Sequence, residues 1–171
     1  MERGFEMSLF KKLFSKTTEV LQAPVAGYSV PLTQVPDPSF AEGLLGKGVA
    51  IEPREGKIYA PCNAVVDTMF ETCHAVSLVA DFGAEVLIHV GLETVKLKGQ
   101  YFTVHCANGD KVRQGDLLIE FDLDAVQAAG YNTITSLLVC NSGDYGTFQV
   151  TTGKQVSPGD SISPPPGEGC F

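Results

Sequence analysis

Long apolar runs are missing from this chain: nothing in it approaches the roughly 18 consecutive apolar residues that a membrane-spanning helix needs. Cations are scarce. Twelve Lys and Arg stand against twenty Asp and Glu, for a formal charge of −8. That excludes nucleic acid as the main partner, because no basic patch could neutralise phosphates along a strand. It suits docking to proteins that present a basic face. No CxxC pair occurs among the five cysteines at 62, 73, 106, 140 and 170, and any disulfide scheme leaves one of them over. The first twenty residues lack a long apolar stretch followed by a small-residue cleavage site, so no secretory signal is read there. A reduced, cytoplasmic setting is the expectation.

What is present reads as one globular domain. The 171 residues are 44% hydrophobic and 19% charged, which is neither a disordered nor a fibrous composition and suffices for a sizeable core. Three regions follow: a leader over 1–20, a domain over 21–162 and a Pro/Gly-rich tail over 163–171, expected to be disordered. In the leader, apolar residues at 9, 10, 13 and 14 with lysines at 11, 12 and 16 have the spacing of a short amphipathic helix with a basic face. Weak adsorption to an anionic membrane surface is one reading of it, and a leader that touches nothing is the other. Met7 is an alternative start.

Within the domain, short apolar or alternating runs are separated by Gly, Pro, Asn and Asp: 28–32, 48–51, 57–59, 64–70, 75–80, 85–90, 101–105, 116–121, 133–139 and 147–151. Strands this short, with this turn chemistry, predict a mostly β, antiparallel sandwich or barrel with few short helices. The one clear helix after residue 20 is 123–129, opened by Asp122 as N-cap and closed by Gly130. Two internal echoes are present. Ala23-Pro24-Val25-Ala26-Gly27 recurs as Ala60-Pro61-Cys62-Asn63-Ala64, and Val112-Arg113-Gln114-Gly115-Asp116 recurs as Val156-Ser157-Pro158-Gly159-Asp160. Together they predict an internally duplicated fold of the barrel-sandwich hybrid kind.

That architecture can be tested against the chemistries it hosts elsewhere. Lipoyl and biotinyl carriers place a modified lysine in Asp-Lys or Met-Lys-Met at a hairpin tip, and nothing here reads that way. Zinc peptidases of the duplicated type need His-x-x-x-Asp and His-x-His. Here Leu78 stands four residues after His74, and Gly91 stands two after His89, so a full zinc set is missing.

Only three histidines occur. His74 lies between two expected strands, and His89 ends a strongly apolar one. Adjacent antiparallel strands could bring the two imidazoles side by side. Such a pair can bind a metal, shuttle a proton, or let one ring take a phosphoryl group while the other hydrogen-bonds it. His105 has no such context and is read as structural. Cys73 is expected on a strand, pointing away from His74, which argues against a Cys–His nucleophile pair.

From about residue 23 to 162 the chain resembles the glucose-type enzyme IIA of the bacterial sugar phosphotransferase system. The resemblance rests on Val35-Pro36-Asp37, Phe40-Ala41-Glu42, Phe70-Glu71-Thr72-Cys73-His74-Ala75, His89-Val90-Gly91-Leu92-Glu93-Thr94-Val95 with Leu97 and Gly99, and Ile119-Glu120-Phe121-Asp122. It implies that His89 accepts the phosphoryl group through Nε2. His74 donates a hydrogen bond to its oxygens, and the Thr72 hydroxyl sets the tautomer of His74. An apolar docking rim would comprise Phe40, Leu44, Leu45, Phe70, Leu87 and Val95, flanked by Asp37 and Glu93. Glu93 stands where many members have Asp. The implied donor is the carrier HPr, and the implied acceptor is a cysteine of the EIIB domain of a glucose-family permease. An alternative is a regulatory module whose unphosphorylated face binds metabolic enzymes or permeases. No cofactor is required on this reading. Zinc at His74 and His89 would be incidental, because two imidazoles leave a tetrahedral ion two ligands short. The leader and tail favour a free protein over a piece of a fused permease.

Overall fold

In the computed structural model, residues 20–145 and 149–162 are described. Residues 1–19 of the leader expected over 1–20, the tail over 163–171 and positions 147–148 of the expected strand at 147–151 lie outside them. Eleven strands are present among the described residues: β1 Gly27–Pro31, β2 Lys47–Pro53, β3 Lys57–Tyr59, β4 Ala64–Met69, β5 Ala75–Ala80, β6 Glu85–Val90, β7 Phe102–Val104, β8 Lys111–Val112, β9 Leu117–Phe121, β10 Thr135–Val139 and β11 Gln155–Val156. Eight form one antiparallel sheet in the order β11-β1-β2-β10-β6-β5-β4-β8, and three form a second in the order β3-β9-β7. The large sheet stays open, with β11 and β8 at its edges, so of the two expected forms the sandwich is realised and a closed barrel is not. Residues 149–151 are not strand, although the Thr151 amide bonds the Ile162 carbonyl.

Strand alternation separates two cores. Val86, Ile88 and Val90 of β6, Val49 and Ile51 of β2, and Leu137 and Val139 of β10 face the small sheet, meeting Ile58, Phe102, Ile119 and Phe121 in the main core. The opposite face carries a second, smaller core of Val30, Ala50, Ile134 and Leu138, covered by Leu32, Val35 and Phe40 from the β1–β2 connection. That connection contains a 3-10 turn at Leu32–Gln34 and a short helix, α1 (Pro38–Ala41), whose N-cap is Asp37. The other helix, α2 (Leu123–Ala128), begins where Asp122 accepts a hydrogen bond from the Ala125 amide at 3.0 Å.

The duplication read in the sequence is present as paired contacts. Ala23 N–H bonds the Asp160 carbonyl at 2.8 Å, and Ala60 N–H bonds the Asp116 carbonyl at 2.8 Å. Gly27 pairs with Val156 as Ala64 pairs with Val112. The Gly-Asp turns match as well: Asp116 accepts from Arg113 N–H and Asp160 from Ser157 N–H, each at 2.8 Å. Hairpin β1–β2 thus corresponds to β4–β5 and β10 to β6, which places a pseudo-twofold between the two central strands. The halves differ in one respect that builds the site. The β1–β2 connection is long and folds over the outer face, whereas the β4–β5 connection is a short turn.

Candidate functional site

His89 projects from β6 on the outer face. Its cross-strand row runs Ala50–Ser136–His89–Ala75, so small side chains flank the imidazole and leave room for it. His74 is the last residue of the β4–β5 turn, and its carbonyl receives the Val90 amide at 2.8 Å. The two rings meet edge to face, with centroids 4.8 Å apart and planes at 87°. Phe40 lies 5.1 Å from His89, and Phe70 lies 5.8 Å from His74, so each imidazole has one phenyl ring beside it.

The hydrogen bonds constrain the protons. His89 Nδ1 lies 2.9 Å from the Gly91 carbonyl. A carbonyl only accepts, so Nδ1 carries the hydrogen and the lone pair of the neutral ring is on Nε2. His74 Nδ1 lies 2.8 Å from the Thr72 hydroxyl, which can either donate or accept. Burial lowers both basicities. His74, only 3% exposed, drops to about 4 through desolvation and then the neighbouring His89, partly opposed by the Thr72 backbone. Burial also lowers His89, opposed by the Gly91 carbonyl and the Asp37 carboxylate. The site thus holds two neutral imidazoles side by side, one with a defined free lone pair on Nε2.

Gly91 is demanded by this arrangement. Its φ is +76°, and an added Cβ would lie 2.6 Å from Thr94 Cγ2 and 2.8 Å from the Asn132 carbonyl. Positive φ at non-glycine residues recurs around the site, at Cys73 (64°) and Glu93 (58°). Cys73 therefore sits in a turn, not on the expected strand, with Sγ near the Glu71 carbonyl at 3.5 Å. His105 directly follows β7 of the other sheet, with Nε2 2.9 Å from the Glu120 carboxylate, and has no ring contact with His74 or His89.

The rim residues expected from the sequence divide. Leu44 (71% exposed), Val95 (49%), Leu45 and Phe70 present apolar surface. Phe40 is 5% exposed and belongs to the second core, where Leu87 packs half-buried. Phe40 is therefore not part of an exposed face, whereas Leu87 keeps some surface. Asp37 is occupied as the α1 cap through Ser39 N–H at 2.9 Å, and Glu93 pairs with Lys96 at 3.2 Å. The sequence reading assigned no role to the Gly91 carbonyl or to Ser136, although the glycine two residues after His89 was the available signal for the first.

Among the described residues, no group of three or more His, Cys, Asp and Glu side chains could hold a metal ion. No helix among them is long and apolar enough to cross a membrane.

The family model of the phosphoenolpyruvate-dependent sugar phosphotransferase system, EIIA 1, matches residues 19–145. The chain is 52% identical over 137 residues to the PTS system beta-glucoside-specific EIIBCA component of Dickeya chrysanthemi, covering 80% of this chain and 22% of that protein. It is 44% identical over 144 residues to the component of the same name from Bacillus subtilis (strain 168), covering 84% and 24%. It thus spans about a quarter of the length of the curated relatives it matches. The solved glucose permease IIA from Mycoplasma capricolum matches with a TM-score of 0.76 at 30% identity, over 84% of this chain and 93% of that one. The chain belongs to the EIIA 1 family of the phosphoenolpyruvate-dependent sugar phosphotransferase system.

Proposed function

We propose that this domain carries a phosphoryl group from phosphorylated HPr to a cysteine of an EIIB domain, with His89 Nε2 as the transfer atom. The observation that carries the reading is the 2.9 Å contact of His89 Nδ1 with the Gly91 carbonyl. It leaves a neutral lone pair on Nε2, and burial keeps that nitrogen unprotonated at neutral pH. In the first step the Nε2 lone pair attacks phosphorus, an N–P bond forms, and the donor's N–P bond breaks with its electron pair returning to the donor imidazole. In the second, the acceptor thiolate forms an S–P bond while the Nε2–P bond breaks and the lone pair returns to His89.

His74, with Nδ1 accepting from the Thr72 hydroxyl, would offer Nε2–H to the phosphoryl oxygens in both steps. Phosphoryl transfer asks mainly for in-line placement and charge stabilisation, and a labile N–P bond asks for a dry contact face. Leu44, Leu45, Phe70 and Val95 supply that face. The chemistry needs no cofactor, and zinc on the two imidazoles would be incidental. Since two relatives are beta-glucoside-specific components, the acceptor we favour is the EIIB of a permease for β-glucosides.

The test is phosphorylation by phosphoenolpyruvate, the general enzyme I and HPr, read by intact mass and acid lability. The wild type should gain one acid-labile phosphoryl group. His89→Gln should gain none, and His74→Gln should accept the group but fail to pass it on. A wild type that takes no phosphate from a competent donor overturns the reading.

A further inference from the structure

We infer that Thr94 is a positioning residue for His89, acting through the backbone that fixes the tautomer of that imidazole. The inference rests on the carrier reading only for its effect on transfer; its structural part stands by itself.

The argument begins where a strand ladder runs out. Val90 N–H bonds the His74 carbonyl, the last such partner on that side, because β5 starts only at Ala75. The Val90 carbonyl faces the same edge and has lost its ladder partner. Thr94, wholly buried, supplies one: its Oγ1 donates to the Val90 carbonyl. The same side chain packs its Cγ2 where a Gly91 Cβ would stand.

The consequence runs through two peptide planes. The 90–91 plane is held at its carbonyl by Thr94 and at its amide by the Ile134 carbonyl, the latter at 3.0 Å. The 91–92 plane is held at its amide by the Asn132 carbonyl at 2.9 Å, so its carbonyl, that of Gly91, points away from Asn132 to His89 Nδ1 at 2.9 Å. Thr94 thus pins the first plane, and the turn at Gly91 transmits that orientation to the second. A purely structural role would be limited to satisfying one buried carbonyl.

Thr94→Val keeps the shape and removes the hydroxyl, whereas Thr94→Ser keeps the hydroxyl. The readouts are His89 tautomer populations from long-range nitrogen–proton NMR, the rate of phosphoryl acceptance from phospho-HPr, and the melting temperature. Wild type and Thr94→Ser should both show the Nδ1–H tautomer alone. Thr94→Val should show a mixture, with acceptance slowed about ten- to a hundredfold. Thr94→Val that melts lower but keeps the wild-type tautomer and rate would reduce Thr94 to a structural residue. If Thr94→Val does not fold, Thr94→Ser with a mixed tautomer overturns the proposal, and Thr94→Ser with the wild-type tautomer upholds the hydroxyl as the acting group. A shifted tautomer in Thr94→Val, alongside a wild type that accepts no phosphate, would sink the carrier reading and leave the positioning intact.

Discussion

His74 and His89 stand edge to face at 4.8 Å, and neither ring can gain a proton without raising the cost of protonating the other. Their neutrality is therefore a property of the pair, reinforced by the burial of each. It ties the chemistry of the site to the pH dependence of the fold.

The unfolded chain titrates His74 near about 6.5, whereas the folded site holds it at about 4. Between these values the unfolded state binds a proton that the folded state refuses. Stability from this group is thus complete above the unfolded value, declines as pH falls through the window, and is fully lost below the folded value. The total is roughly 3 kcal/mol at most. Urea unfolding at about pH 7 and about pH 4 should show a larger loss for the wild type than for His74→Gln. Equal losses would mean that His74 is not held neutral by the fold.

Gly91→Ala should be strongly destabilising. The new Cβ would press on Thr94 Cγ2 and the Asn132 carbonyl at a φ that disfavours any side chain. A cost of about 3 kcal/mol or more is expected from the combination of strain and overlap. The denaturant midpoint measures it, and the acceptance rate should fall with it. A midpoint within experimental error of the wild type would show that the 91–94 turn yields easily.

Leu44→Glu separates docking from folding. The side chain is 71% exposed, so stability should change by no more than about 0.5 kcal/mol. A charge on the apolar face should raise the KM for phospho-HPr by about tenfold while leaving the melting temperature in place. An unchanged KM would place Leu44 outside the contact face.

Much of this was legible in the residues. Runs 57–59, 75–80 and 85–90 were read with the bounds of β3, β5 and β6, because alternation is strong there and turn residues bracket each run. The echoes around Ala23, Ala60, Gly115 and Gly159 foretold paired contacts that the fold realises. The short helix α1 escaped, although Asp37-Pro38 is a capping signal, because a four-residue helix carries no periodicity. Strands β8 and β11 are two residues each and exist only through their pairing with β4 and β1. Phe40 was read as exposed because local sequence does not reveal that a long connection folds back over the sheet. For the same reason the Thr94–Val90 bond could not be read: it depends on where a neighbouring strand stops.

The two ends of the described domain meet. Gln22 bridges Ser161, the Ile162 amide bonds the Leu21 carbonyl at 2.9 Å, and Arg54 fastens Gln155, Val156 and Ser157 alongside. A pull applied across these ends would load the β1–β11 edge like a zipper, one rung at a time, rather than shearing the sheet. Strands β2 and β10 stand between that edge and β6, which carries His89. Joined to larger machinery through either end, the domain could be tugged and swung while the histidine pair stays mechanically quiet.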